Sequence, residues 1–153
     1  HQTFEHNKTG RNVSIQHLLF ALLNELILKI KDAYRSEINA IGNKDQKTFN
    51  KFIYLLNEHF IEEHGLEFYA SQLGISKRKL SEISQKYYGE SAKTILLKRL
   101  MDEVKRYLKY TSLSVKEIAY KLYFDDPAYL SRLFKKYAQL SMSEYRQSHI
   151  TNR

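Results

Sequence analysis

The sequence predicts an all-α protein, and three observations support that prediction. Apolar residues recur at steps of three and four through most of the 153 residues, which is the period of an α-helix. The chain has one proline and five glycines, so few residues would interrupt its helices. One segment with a helical pattern also occurs twice, about 50 residues apart, whereas no segment alternates convincingly as a strand.

The first predicted helix runs from Ser14 to Ile38 and carries a wide apolar stripe. The stripe consists of Ile15, Leu18, Leu19, Leu22, Leu23, Leu26, Ile27, Ile30 and Tyr34. It is more apolar than a lone surface helix should be, so we expect the helix to mediate dimerisation or to pack on another part of the protein. Folding back onto the rest of this chain is the alternative. The polar stretch Gly42–Lys47 follows, and we interpret it as a hinge at a domain boundary, with one domain over 1–46 and the next over 47–153.

The second part of the chain is predicted to be helical almost throughout. Its first helix, marked by Phe52, Leu56 and Phe60, is expected to stop at His64-Gly65 with the glycine as C-terminal cap. Six further helices are predicted over residues 66–73, 77–88, 92–110, 115–122, 127–137 and 143–148.

Short polar residues mark where several of these helices begin. Ser114 and Glu117 have the spacing of a capping box in front of the helix that starts at Val115. Asp126 followed by Pro127 predicts the next start, since proline is favoured at the first helical position.

The repeated segment has the features of a helix-turn-helix. Its first half, Leu66, Tyr69, Ala70, Leu73 and Ile75, is matched 49 residues later by Val115, Ile118, Ala119, Leu122 and Phe124. Its second half, Leu80, Ile83, Lys86, Tyr87 and Ser91, is matched 50 residues later by Leu130, Leu133, Lys136, Tyr137 and Ser141. Each copy offers a small residue where two helices cross, an apolar residue to fill the turn, and a capped second helix. Two such units in register predict two helix-turn-helix motifs; a helical bundle with an accidental repeat is the alternative.

Charge favours a polyanionic partner. The chain holds 25 Lys and Arg against 17 Asp and Glu, for a formal charge of +8, and 19 of the basic residues follow position 46. No apolar run is long enough to span a membrane, and no cysteine is available for disulfides or thiol chemistry. His59 and His64 are five residues apart, off the four-residue step of a helical metal site, and no catalytic motif is present. We therefore expect no enzyme activity, no cofactor and no metal site.

The second unit, IAYKLYFDDPAYLSRLFKKYAQLSMSEYR from Ile118 to Arg146, resembles the AraC family of bacterial transcription activators. The strongest matches are Tyr129, the run SRLFKK at 131–136 and the run SEYR at 143–146, and the resemblance extends over about residues 48–147. Tyr123, Gln139 and Met142 depart from the family pattern, which has a small residue, a glycine and a proline there.

This resemblance implies a seven-helix, homeodomain-like module in which two helix-turn-helix subdomains are joined by the long connector helix 92–110, and each subdomain offers one recognition helix to double-stranded DNA. It also implies a cytoplasmic regulator of promoter DNA that acts with RNA polymerase as an activator. Such regulators often carry an N-terminal sensor, so residues 1–46 are interpreted as the helical end of a sensor or dimerisation domain plus the hinge.

On the first recognition helix, the core should be contacted by Leu80, Ile83 and Tyr87. The opposite face carries the candidate DNA contacts Lys77, Arg78, Ser81, Glu82 and Gln85. Arg and Lys can pair with guanine O6 and N7, and Gln with adenine, so Arg78 is the strongest candidate for base recognition. Glu82 is either an acceptor for cytosine N4 or a solvated helix residue.

On the second recognition helix, the residues predicted to face outward as DNA contacts are Pro127, Ala128, Ser131, Arg132 and Lys135, with the Tyr129 hydroxyl as a phosphate donor. Arg132 stands where the family carries a characteristic arginine, which favours a base or phosphate contact. A structural ion pair with Asp125 or Asp126 is the alternative. The connector residues Lys98, Arg99, Lys105 and Arg106 are expected to face solvent.

These observations favour a sequence-specific DNA-binding transcription regulator. Two other classes remain as alternatives: a helical protein-interaction module with a basic face, and an RNA or membrane-surface binder. A capped recognition helix that occurs twice is explained most simply by groove recognition.

Overall fold

The computed structural model of the chain describes residues 19, 22–30, 33 and 43–150. The chain divides into two compact units, His1–Gly42 and Asn43–Arg153. In the first unit, residues 22–30 are helical and their leucine and isoleucine side chains are exposed. The described part of the predicted helix Ser14–Ile38 is thus helical, while both of its ends fall outside the described residues.

Residues 43–150 form seven helices and contain no strand. In chain order these are α1 (Lys44–His59), α2 (Leu66–Gln72), α3 (Lys77–Tyr88), α4 (Ala92–Tyr110), α5 (Val115–Lys121), α6 (Pro127–Ala138) and α7 (Met142–Ile150). The all-α prediction is confirmed for this part of the chain. The bounds predicted for α3 and α4 agree with the structure at both ends.

Two details of the predicted organisation are wrong. Residues 44–47, expected to belong to a hinge, form the first turn of α1, because the side chain of Asn43 accepts a hydrogen bond from the Gln46 amide at 3.0 Å and caps the helix. Gly65 does not end α1, which stops at His59. It is instead the N-cap of α2, with an ordinary extended φ of −105°.

The helix pairs α2–α3 and α5–α6 are the two helix-turn-helix units. Ala70 and Ala119 are both buried where the two helices of each pair approach closely, as their small side chains predict. The turns share their backbone hydrogen bonds: the Ile75 amide donates to the Ala70 carbonyl at 3.0 Å, and the Phe124 amide donates to the Ala119 carbonyl at 2.9 Å. The sequence repeat is therefore a repeat of structure.

Both turns need a left-handed backbone, and the two units supply it with different residues. The first unit uses Gly74 (φ 64°) in its turn and Gly89 (φ 79°) after its recognition helix. The second unit has Tyr123 (φ 54°) and Gln139 (φ 59°) at the matching positions. Glycine adopts this conformation freely, whereas a residue with a Cβ is strained in it. The departures at 123 and 139 thus keep the geometry of the turns and change only its energetic cost.

Helix α4 joins the two units and lies in the shared core. It packs on α3 at one side and on α7 at the other, while α1 packs on α2 and α3. Its buried apolar residues are Ala92, Ile95, Leu96, Leu100, Met101, Val104 and Leu108. Because this apolar face runs the whole length of α4, the connector is held by both units and is not a free linker.

Two further contacts hold the second unit against the rest of this module. His64, just before α2, stacks on Phe124 in the second turn, with ring centroids 4.2 Å apart. The Arg146 guanidinium on α7 donates to the carbonyls of Leu108 and Leu113, at the end of α4 and in the loop that follows it. Both side chains connect segments that are distant in sequence, and neither contact was expected from the sequence.

Candidate nucleic-acid interface

Helix α3 presents the first candidate surface. The side chain of Ser76 accepts a hydrogen bond from the Lys79 amide at 3.1 Å and caps the helix, as predicted. Leu80 and Ile83 are buried, which turns the opposite face toward solvent. On that face Lys77, Arg78, Glu82 and Gln85 are exposed and Ser81 is half-buried. Ser84, which the apolar pattern did not single out, is fully buried and donates to the Leu80 carbonyl at 2.8 Å.

Polar side chains of this face have partners on the same helix, on α2 or just after the helix. Arg78 Nε donates to Glu82 Oε1 at 3.0 Å, although the Arg78 side chain remains 89% exposed. Lys77 forms an ion pair with Glu67 on α2, and this hydrogen bond lowers the pKa of that carboxylate. Gln85 Nε2 donates to the Gly89 carbonyl at 2.8 Å. The sequence left Glu82 as either an acceptor for cytosine or a solvated residue. The structure gives it a third role, as the ion-pair partner of Arg78.

Helix α6 presents the second candidate surface. Asp126 accepts a hydrogen bond from the Ala128 amide at 2.8 Å, and Pro127 occupies the first turn, so the predicted start is confirmed. Leu130 and Phe134 are fully buried. The exposed side chains of the predicted set are Ala128, Tyr129, Arg132 and Lys135, whereas Pro127 and Ser131 are half-buried.

Arg132 takes part in the ion pair that the sequence offered as its alternative role. Its Nη2 atom lies 3.4 Å from Asp126 Oδ2, and the two side chains are 68% and 57% exposed. An exposed pair of this kind contributes at most about 1 kcal/mol, so it can be broken at small cost. Ser131 is less available, because its hydroxyl donates to the Pro127 carbonyl at 2.9 Å.

The basic residues of α4 do not simply face solvent as expected. Lys98 pairs with Glu90, and Lys105 lies 3.9 Å from Asp102. Arg99 and Arg106 both pair with Glu103, a carboxylate that is only 7% exposed, and the Arg106 hydrogen bond is the main reason that the pKa of Glu103 is lowered. Four cations of the connector are thus committed to local carboxylates.

Three histidines pack against aromatic rings. Within the described residues, His59, His64 and His149 are half-buried and lie against Phe68, Phe124 and Tyr145 respectively. Among the residues that the structure describes, no three His, Cys, Asp or Glu side chains are grouped so that they could hold a metal ion. No helix in that part of the chain is long and apolar enough to cross a membrane.

Comparison with known proteins matches residues 69–148 to the family described as "Helix-turn-helix domain". The chain is 27% identical over 143 residues to the HTH-type transcriptional activator RhaS of Enterobacter sp. (strain 638), across 94% of this chain and 49% of that protein. The chain thus spans half or less of the length of the curated relatives it matches.

Solved structures share the fold. The C-terminal domain of AraT, a response regulator from Geobacillus stearothermophilus, is 28% identical with a TM-score of 0.61, over 66% of this chain and 84% of that one. The DNA-binding domain of AdpA, a global transcriptional factor in complex with a target DNA, also has a TM-score of 0.61. At 22% identity, over 69% of this chain and 95% of that one, it shows the fold alone.

Proposed function

The chain belongs to the AraC family of helix-turn-helix transcription regulators, and we propose that α3 and α6 contact two successive major-groove segments of one DNA duplex. The observation that carries this proposal is the presence of two capped helices with exposed polar faces, one in each copy of a repeated unit. Helix α4 has 19 residues and spans roughly 28 Å at 1.5 Å per residue. With the widths of the packed units added, this length suits grooves that recur about every 34 Å.

Base recognition is assigned to the exposed cations of each face. On α3, Arg78 pairs with guanine, with Lys77, Ser81, Glu82 and Gln85 around it. On α6, Arg132 and Lys135 contact bases or phosphates, Ala128 touches a thymine methyl and Tyr129 gives its hydroxyl to a phosphate. Pro127 and Ser131 complete that set as lining residues, because both are half-buried. The ion pairs of Arg78 and Arg132 are exposed, so each arginine can exchange its carboxylate for DNA at little cost.

The whole protein is proposed to be a cytoplasmic activator that acts at promoters together with RNA polymerase. The named activity of the RhaS relative supports this assignment. Residues 1–42 are proposed as the helical end of a sensor or dimerisation domain, with residues 14–38 as a homodimer contact and residues 43–153 as the DNA-binding domain. Regulation of this kind proceeds by binding alone, without catalysis or a cofactor.

Methylation interference on a DNA site selected from a random duplex library tests the proposal. We expect two major-groove patches about 10 base pairs apart for each module. Arg132→Ala should remove one patch and Arg78→Ala the other. A single patch that Arg132→Ala leaves unchanged would contradict the two-groove arrangement. Equal competition by single-stranded DNA would contradict groove recognition altogether.

A further inference from the structure

A groove with basic and aromatic walls lies between α4 and α6. It encloses about 600 Å³ and is lined by Lys93 and Leu97 from the first half of α4, and by Tyr129, Arg132, Leu133, Lys136 and Tyr137 from α6. Among the described residues that line it, none is a carboxylate. Within residues 43–149, neither the Lys93 nor the Lys136 ammonium forms an ion pair, whereas Lys98, one turn further along α4, does. The groove therefore carries two lysines without an ion pair, whereas four other cations of α4 are paired with carboxylates.

The positive charge continues from this groove toward the first recognition helix. Lys93 is close enough to Glu67 for its charge to help lower the pKa of that carboxylate. Glu67 in turn pairs with Lys77, the first residue of α3. Lys93 thus lines the groove and is also near the ion pair at the start of α3. Three carboxylates near these residues each have a cation of their own: Glu67 pairs with Lys77, Glu90 with Lys98 and Asp126 with Arg132.

We propose that this groove binds the sugar-phosphate backbone of one of the two DNA strands that border the minor groove between the two major-groove segments, with Lys93 and Lys136 as its phosphate contacts. The proposal rests on the function proposed above, because two recognition helices in successive major-groove segments leave the intervening minor groove, with a backbone on each edge, facing the surface between them. Lysine ammonium groups suit this role, since phosphate contacts position a protein on the duplex and carry no sequence information. The Tyr129 hydroxyl, at the edge of the groove, is placed to donate to the same backbone.

The salt dependence of binding identifies such contacts. Each phosphate neutralised by a cation adds about 0.9 to the slope of log affinity against log salt concentration. Replacing one contacting lysine should therefore lower the magnitude of the slope by about 0.9 and weaken binding equally for all sequences. A base-contacting residue behaves differently, because its loss changes the sequence preference.

The experiment compares Lys93→Gln and Lys136→Gln with Lys109→Gln in the full chain, on a selected duplex of about 20 base pairs. Lys109 is a matched control: it lies at the other end of α4, is exposed, and its ammonium lies over the neighbouring Tyr110 ring. For each groove variant, we expect the slope of log affinity against log salt concentration to fall in magnitude by about 0.9, with an unchanged sequence preference. The control variant should have the wild-type slope. Thermal unfolding of all four proteins checks that the fold is unchanged.

Phosphate ethylation interference adds a spatial readout. In the wild type, ethylation of phosphates between the two patches should weaken binding, and Lys93→Gln with Lys136→Gln should remove that effect. If both variants keep the wild-type slope and the central interference while two patches are present, the groove proposal is wrong and the two-groove function stands. If the wild type gives no pair of patches, the proposed function fails, and the groove proposal fails with it.

Discussion

Tyr123 has a left-handed backbone conformation, and its side chain makes little buried contact that would offset the strain. Its side chain is 63% exposed, so it contributes little to the core. The matching residue of the first unit is Gly74, with φ 64°, and a Cβ added there would meet no atom within 4 Å. The cost at this position is therefore backbone strain and not crowding.

Replacing Tyr123 with glycine should stabilise the protein. Relief of left-handed strain is worth roughly 1–2 kcal/mol, and the greater freedom of glycine in the unfolded chain offsets part of it. The expected net gain is about 0.5–1 kcal/mol in the free energy of unfolding, measured by urea denaturation. Gly74→Ala is the matched control and should be destabilising. A loss of stability in Tyr123→Gly would show that the side chain makes contacts worth more than the strain.

Arg132 and Asp126 should affect DNA binding in opposite directions. Arg132→Ala removes the proposed contact and should cost about 1–3 kcal/mol of binding with a relaxed sequence preference. Asp126→Asn keeps a good helix cap, because asparagine caps as well as aspartate, yet it removes a negative charge and releases Arg132. We therefore expect tighter binding from Asp126→Asn in a fluorescence anisotropy titration. If both variants weaken binding equally, the pair matters as a structural unit and Arg132 is not a direct contact.

At the residue scale, the sequence predicts burial better than it predicts partners. Leu80, Ile83, Leu130 and Phe134 are buried as their spacing requires. The ion pair of Arg132 stayed one of two alternatives, because a long exposed side chain reaches both a neighbouring carboxylate and a ligand. The stacking of His64 on Phe124 had no local signal at all, since it joins residues 60 positions apart in the chain.

Among the elements, the helix starts are fixed by side-chain caps. Ser114 and Glu117 form the predicted capping box: the Ser114 hydroxyl accepts from the Glu117 amide at 3.2 Å, and the Ser114 amide donates to the Glu117 carboxylate at 2.7 Å. Ser141 and Glu144 repeat this arrangement at α7. Hydrogen bonds from the serines lower the pKa of both glutamates.

These lowered pKa values predict a pH dependence of stability. A carboxylate whose pKa is lower in the folded state stabilises the protein at pH values above its unfolded pKa, and the stabilisation is lost as the pH falls through the folded value. Glu117→Ala should therefore destabilise the protein at pH 7, and the difference from wild type should shrink below about pH 4. Urea denaturation at several pH values measures it. Glu62→Ala, which removes an exposed carboxylate in the loop before α2, is the matched control.

The bounds of a helix were predictable where its capping residue is unambiguous. They were not predictable where one residue could either end a helix or begin the next. Ser76 and Gly89 delimit α3, and Ser91 caps α4, so both helices agree with the prediction. Gly65 was assigned to the end of α1 because glycine is common after helices, but it also suits an N-cap. The short polar run at 43–47 resembles a hinge in composition, although the Asn43 side chain starts a helix within it.

For the whole molecule, the exposed apolar residues of the N-terminal segment bear on the proposed homodimer. Leu22 and Leu26 are 61% and 54% exposed in the helical stretch 22–30. If residues 14–38 form a homodimer contact, sedimentation should show a wild-type dimer, and Leu22→Glu or Leu26→Glu should give monomers because burying a carboxylate at an apolar interface is costly. Asn24→Glu, which adds the same charge on the opposite side of the helix, is the control. A wild-type monomer that neither substitution changes would rule out the contact.

The connector also constrains how proteins of this design can diverge. Helix α4 is continuous over 19 residues and is packed along its length. One inserted residue would turn the second unit by about 100° and advance it by about 1.5 Å, so in the proposed two-groove arrangement α6 would leave the duplex. Point substitutions on α3 and α6 carry no such penalty. If the two helices dock as proposed, the preferred bases of the target site can change one position at a time, whereas the spacing between its two halves is kept nearly unchanged.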